Sequence, residues 1–147
     1  MKSSNVSIVL ILFLFAFTGF AQSAKLQVIH NSSDPAAEFV DVYLNGTLLL
    51  NDFEFRTATP YVDAPANTPI NIGVAPGTSS SAGDTIKNFN VTLAENGSYI
   101  AVANGVINSA QFQSNPDGRE TAFTLFLKDN ARLESADISQ VQCIAVH

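Results

Sequence analysis

Apolar and polar positions alternate with a period of two along nearly the whole chain after residue 24. Val40, Val42 and Leu44 alternate with Phe39, Asp41 and Tyr43, and Ile70, Ile72 and Val74 alternate with Asn71 and Gly73. Phe89, Val91 and Leu93 alternate with Asn90 and Thr92, and Phe123, Leu125 and Leu127 alternate with Ala122, Thr124 and Phe126. Successive side chains on a strand point to opposite faces, so each segment offers one face to a core and the other to solvent or a second layer. No helical stripe at i, i+4 and i+7 competes with this pattern. The spacing predicts about seven strands, over 25–30, 39–44, 47–51, 69–75, 85–93, 98–106 and 121–128.

The punctuation between these segments agrees. Asn45-Gly46 separates two apolar runs, and a two-residue hairpin turn needs positive φ at both central positions. Asn96-Gly97 offers the same signal between Phe89–Leu93 and Tyr99–Ala103. Pro60, Pro65 and Pro69 demote 59–68 to an edge or an irregular connection. Pro76–Asp84 and Asn108–Glu120 are rich in Gly, Ser, Asn and Pro and read as long loops. The expected fold is therefore all-β, an antiparallel immunoglobulin-like β-sandwich, with a small β-barrel as the alternative. With no Trp and a single cysteine, the Cys…Trp…Cys frame of a true immunoglobulin domain is missing.

Residues 1–24 follow a different rule. Met1-Lys2, an apolar run from Val6 to Phe17, and small residues up to Ala24 have the order of a secretory signal peptide. The run is shorter than the roughly 20 apolar residues that a membrane span requires. Cleavage is expected between Ala21 and Ala24, giving a secreted or cell-surface protein with no membrane span once the signal is gone. An uncleaved anchor is the alternative. Without Lys2 the chain has 6 basic and 13 acidic side chains, a net charge of −7. Such a surface does not suit a phosphate backbone, which excludes nucleic acid as the expected partner. About 123 residues suffice for one core. Residues 25–130 make the expected β-sandwich domain.

The end of the chain, VQCIAVH, echoes the KLQVIH that follows the signal. Residues 131–147 thus read as a linker and the first strand of a second copy, or else as the last strand of the first. Cys143 lies in this apolar stretch and reads as a buried structural thiol rather than a nucleophile.

Two candidate sites of chemistry stand out. His30, Ser32, Ser33 and Asp34 lie within five residues, but a catalytic triad needs its members on separate elements. The simpler reading has Asp34 and Ser32 binding nearby backbone N–H groups while His30 caps a strand end. Asp117 and Glu120 offer oxygen ligands but lack the spacing of a calcium loop. No metal, cofactor or catalytic residue is therefore expected. The sequons at Asn31, Asn45, Asn90 and Asn96 carry no functional weight, since the turns explain two of them.

His30-Asn31-Ser32-Ser33-Asp34-Pro35 followed by Val40-Asp41-Val42-Tyr43-Leu44-Asn45-Gly46 resembles a secreted bacterial family of domains of unknown function. Its members open with V-V-H-A-S-P-D-A-P-x-V-D-V-Y-x-D-G. The stretches Phe53–Ala66, Ile70–Pro76 and Thr92–Tyr99 are similar to it as well. This chain departs by inserting Glu38-Phe39 before Val40-Asp41. The resemblance implies tandem copies at a cell surface and carries over no catalytic residue. The expected function is a non-catalytic module, a spacer or an adhesion unit, with an accessory domain of an exported hydrolase as the alternative. Its expected partners are a glycan or surface polymer and neighbouring copies of the domain. His30, Asp34, Tyr43 and Tyr61 are the candidate binding residues, the tyrosines as stacking surfaces.

Overall fold

The computed structural model describes residues 22–135, 137–140 and 143. Eight strands run over Ser23–His30 (β1), Phe39–Leu44 (β2), Thr47–Glu54 (β3), Val62–Pro65 (β4), Pro69–Pro76 (β5), Lys87–Thr92 (β6), Ser98–Asn104 (β7) and Thr124–Lys128 (β8). They form two four-stranded sheets with orders β4-β1-β7-β8 and β3-β2-β5-β6. The expected β-sandwich is what the chain adopts, and neither sheet closes into a barrel.

Alternation builds the core as the sequence predicts. Leu26 and Val28 from β1, Val40 and Val42 from β2, Ile70, Ile72 and Val74 from β5, and Ala101 and Ala103 from β7 are all buried. Asn45 and Gly46 have φ of 50° and 81°, the double positive φ of the expected hairpin turn between β2 and β3. Gly46→Val should therefore cost about 1 kcal/mol or more, because a β-branched residue is strained at such φ. A lowered urea midpoint with an unchanged slope would register this cost.

Three features depart from the expectation. Among the described residues the strand count is eight, because residues 62–65 within the proline-punctuated segment pair antiparallel with the edge of β1. The first sheet is mixed, since β1 runs parallel to β7 in the register Leu26↔Tyr99 to His30↔Ala103. Asn96-Gly97 is not a hairpin turn. It joins strands in different sheets, with β6 pairing only β5 and β7 lying between β1 and β8. Here only Asn96 has positive φ, at 58°, and Gly97 N–H donates to the Ala94 carbonyl at 3.0 Å. A Cβ on Gly97 would meet the Tyr99 ring at 2.6 Å, so glycine is required for close approach rather than for a hairpin.

β1 also begins at Ser23, two residues ahead of the expected start. Ala24 is a core residue, and Gln22 is tied down by its carbonyl, which accepts from Ala66 N–H at 2.9 Å. The expected terminal strand over 141–146 falls outside the described residues apart from Cys143, which is exposed and not the buried thiol expected.

The strand directions give the sandwich two unlike ends. The start of β1, the Asn45-Gly46 turn, the Ala94–Gly97 turn and the end of β8 lie at one end. At the other end lie the connections 31–38, 55–61, 77–86 and 105–123. Both stretches read as long loops from their composition are at this second end.

Candidate functional site

The connection 31–38 organises the long-loop end around His30. The ring of His30 is 1% exposed and packs between Phe53 and Phe55, with centroid separations of 5.9 and 6.1 Å. Its Nε2 lies 2.7 Å from the Ala37 carbonyl oxygen, and its Nδ1 accepts from Ser32 N–H at 3.3 Å. A carbonyl can only accept and an amide can only donate, so the proton resides on Nε2 and the ring is neutral. Burial lowers the His30 pKa from its ordinary value of 6.5, with the bond to the Ala37 carbonyl opposing that shift.

Asp34 extends the same framework. Its Oδ1 accepts from Ala36 N–H at 2.9 Å, capping the short 3-10 turn Pro35–Ala37. Its Oδ2 accepts from Ile107 N–H at 2.8 Å, on the far connection. Ser32 Oγ donates to the Gly105 carbonyl at 2.7 Å. Gly105 has a φ of 83°, and a Cβ there would run into the carbonyls of Thr121 and Ala122. That close approach lets 105–123 fold back on itself, with Val106 N–H donating to the Thr121 carbonyl at 2.8 Å and Phe123 N–H to the Val106 carbonyl at 2.7 Å.

A second buried network lies on the outer face of the β2–β5 pair. Asp41, 1% exposed, accepts from Asp52 N–H at 2.9 Å and from the Ser79 hydroxyl. Because the Ser79 proton goes to Asp41, the Tyr43 hydroxyl donates to Ser79 Oγ, at 2.8 Å. Asp52 is thereby held at a φ of 51° where β3 is irregular against β2. The 77–86 connection covers this face, and the methyl of Thr85 lies 2.7 Å from where a Cβ of Gly73 would stand. The Asp84 carboxylate knits that connection together, accepting from Ser80 N–H, Ser80 Oγ and Ser81 N–H. These bonds, led by the Ser80 amide, hold its carboxyl below the usual carboxylate range.

Burial thus takes three of the four candidate binding residues out of a ligand's reach. His30, Asp34 and Tyr43 are buried and bonded to groups of the protein, whereas Tyr61 keeps partial exposure. Tyr43 cannot stack a sugar; it anchors a loop. The expected local turn roles hold for Asp34, which bonds Ala36, but Ser32 and the other Asp34 oxygen reach across to 105–107. Asp41 and Ser79 are hydrogen-bonded neighbours in this network that alternation alone did not single out. Ala75 opposite Asp41 and Gly73 opposite Tyr43 are the small residues that signal a loop packing on this face.

Two clefts open among the described residues of this end. One, of about 320 Å³, has Pro35, Phe39 and Pro76 as apolar walls and Glu38, Asp52 and Thr78 as polar rim. The other, of about 310 Å³, lies within 109–121 and is lined by Ser109, Ser114, Asn115, Arg119 and Glu120. The Asn115–Gly118 segment is a turn, with Asn115 Oδ1 accepting from Asp117 N–H at 2.9 Å. Asp117 faces Arg119 at 3.9 Å.

The neutral His30 gives the fold a pH dependence with a definite sign. The unfolded chain takes up a proton near pH 6.5 and the folded chain only at lower pH. The contribution of His30 to stability is therefore complete above about pH 6.5 and declines as pH falls toward the lowered folded value. The thermal midpoint should drop between pH 7.5 and 5 in the parent, and His30→Gln should flatten that part of the profile.

A family model described as "Domain of unknown function (DUF4397)" matches residues 24–144. No curated protein matches the chain.

Proposed function

The chain belongs to this DUF4397 family of domains of unknown function, and on that premise we propose that it is an exported, non-catalytic binding module whose long-loop end takes a glycan or surface polymer. The observation that carries this reading is the polarity of the sandwich. β1 starts and β8 finishes at the end of the Asn45-Gly46 turn, while all four long connections gather at the other. A spacer works best with its connections at opposite ends. A module tethered at one end presents the other, as loop-bearing sandwiches do when they bind. The buried hydrogen bonds of His30, Ser32, Asp34 and Asp41 hold those loops in fixed relation, which lowers the ordering cost of binding.

The non-catalytic reading is supported by the same bonds. The ring nitrogens of His30, the Ser32 hydroxyl and both Asp34 oxygens are committed to protein groups. Export is supported by the leader pattern, and the fold favours cleavage between Ala21 and Gln22, since Ala24 belongs to the core. N-terminal sequencing of the secreted protein should begin at Gln22; an intact Met1 in a membrane fraction would contradict export as a cleaved protein.

A panel of immobilised polysaccharides tests the binding role. The secreted chain should be retained by at least one polymer, with retention reduced by Phe39→Ala or Phe112→Ala and unaffected by Leu48→Ser beside the Asn45-Gly46 turn at the opposite end. Retention that depends on Leu48 and on neither Phe would overturn the assignment of the binding end. Release of soluble fragments from the polymer would overturn the non-catalytic reading.

A further inference from the structure

The cleft beside Phe39 differs chemically from the rest of the loop end. Phe39 is 44% exposed although it opens a strand, and it lines the cleft together with Pro35 and Pro76. Among the described residues, the ionisable groups lining the cleft are the carboxylates of Glu38 and Asp52. Among the described residues neither of them forms an ion pair. The nearest cation in sequence, Arg56, lies over the ring of Phe55 at 5.0 Å and does not line the cleft.

Asp52 is placed rather than free. Its backbone N–H is held by the buried Asp41 carboxylate, its φ is 51°, and one carboxylate oxygen accepts from Asn51 Nδ2 at 2.6 Å. Across the cleft, Gly77 N–H donates to the Phe39 carbonyl at 3.0 Å, and a Cβ on Gly77 would meet both Phe39 and the Asp52 carboxylate. Glycine at this position leaves room between the base of the Phe39 side chain and the Asp52 carboxylate.

From this charge complementarity we infer that the cleft takes an amino-sugar unit of the polymer, with its ring face on Phe39 and its ammonium between Glu38 and Asp52. The inference rests on the binding-module reading and names the ligand class of that end. An aromatic face stacks against the C–H face of a sugar ring and also attracts a cation. Two carboxylates without a protein counter-ion favour a positively charged unit and disfavour uronic acids or phosphorylated sugars. The Thr78 hydroxyl adds a neutral hydrogen-bonding group on the rim.

Titration of the secreted chain with a fully deacetylated glucosamine tetramer, and separately with its fully N-acetylated counterpart, tests this. The inference predicts that the amine form binds at least about tenfold more tightly at low salt, and that the preference shrinks in about 0.5 M salt as screening rises. Glu38→Gln and Asp52→Asn should each abolish most of the preference, and Phe39→Ala should weaken both ligands. Asn tolerates the positive φ at position 52, so an unchanged urea midpoint is expected for Asp52→Asn. Equal binding of both tetramers, or a preference unaffected by Glu38→Gln and Asp52→Asn, would overturn the inference. Failure of both tetramers to bind would also overturn it. If a polymer still bound through the Ser109–Thr121 cleft, the binding-module reading would stand without this ligand.

Discussion

Replacing His30 with Ala should lower the unfolding free energy by about 3 kcal/mol or more, the largest effect expected of a single substitution at the loop end. The Ala37 carbonyl and the Ser32 N–H each lose their ring partner in a place closed to water. An unpaired buried polar group costs about 1–3 kcal/mol. A void opens between Phe53 and Phe55 in addition. His30→Gln should recover part of the loss, because an amide can still donate to the Ala37 carbonyl. Urea denaturation of the two variants checks both the size and the order. A cost below about 1 kcal/mol for the Ala variant would show that the ring supports little.

Asp41→Ala should cost about 2–4 kcal/mol, through the Asp52 N–H and the Ser79 hydroxyl that it leaves unpaired. Tyr43→Phe alone should cost about 1 kcal/mol, the usual net worth of one hydrogen bond. The two are joined through Ser79, so their effects should not add. In the Asp41→Ala background, Tyr43→Phe should cost clearly less, with a coupling of about 0.5–1 kcal/mol in a double-mutant cycle. Additive effects would mean that Asp41 and Tyr43 act separately.

The parts of the fold that depend on local chemistry were legible in the sequence. Period-two alternation marked seven of the eight strands, and Asn45-Gly46 fixed one hairpin through a φ requirement carried by two residues. The parts that depend on distant partners were not. Nothing in LQVIH distinguishes a strand with a parallel neighbour from one with antiparallel neighbours. Asn96-Gly97 carries the same dipeptide as Asn45-Gly46, yet its flanking strands enter different sheets because the chain must cross the sandwich there.

The site followed the same division. His30 and Asp34 stood out by their types, but their roles depend on Ala37 and Ile107, one a local backbone group and the other 73 residues away. Alternation put Asp41 and Tyr43 on the face away from the core, and the 77–86 connection then buries that face. A tyrosine in a strand looks the same in sequence whether its ring meets a sugar or its hydroxyl holds Ser79.

Backbone amide NMR of the secreted chain, recorded while adding a polymer fragment that the polysaccharide panel retains, tests the central claim most directly. The account predicts shifts concentrated at 36–39, 52, 77–79, 105–115 and 117–121, with Asn45, Gly46, Asn96 and Gly97 unmoved. Shifts centred on those two turns, with the loop end silent, would contradict it.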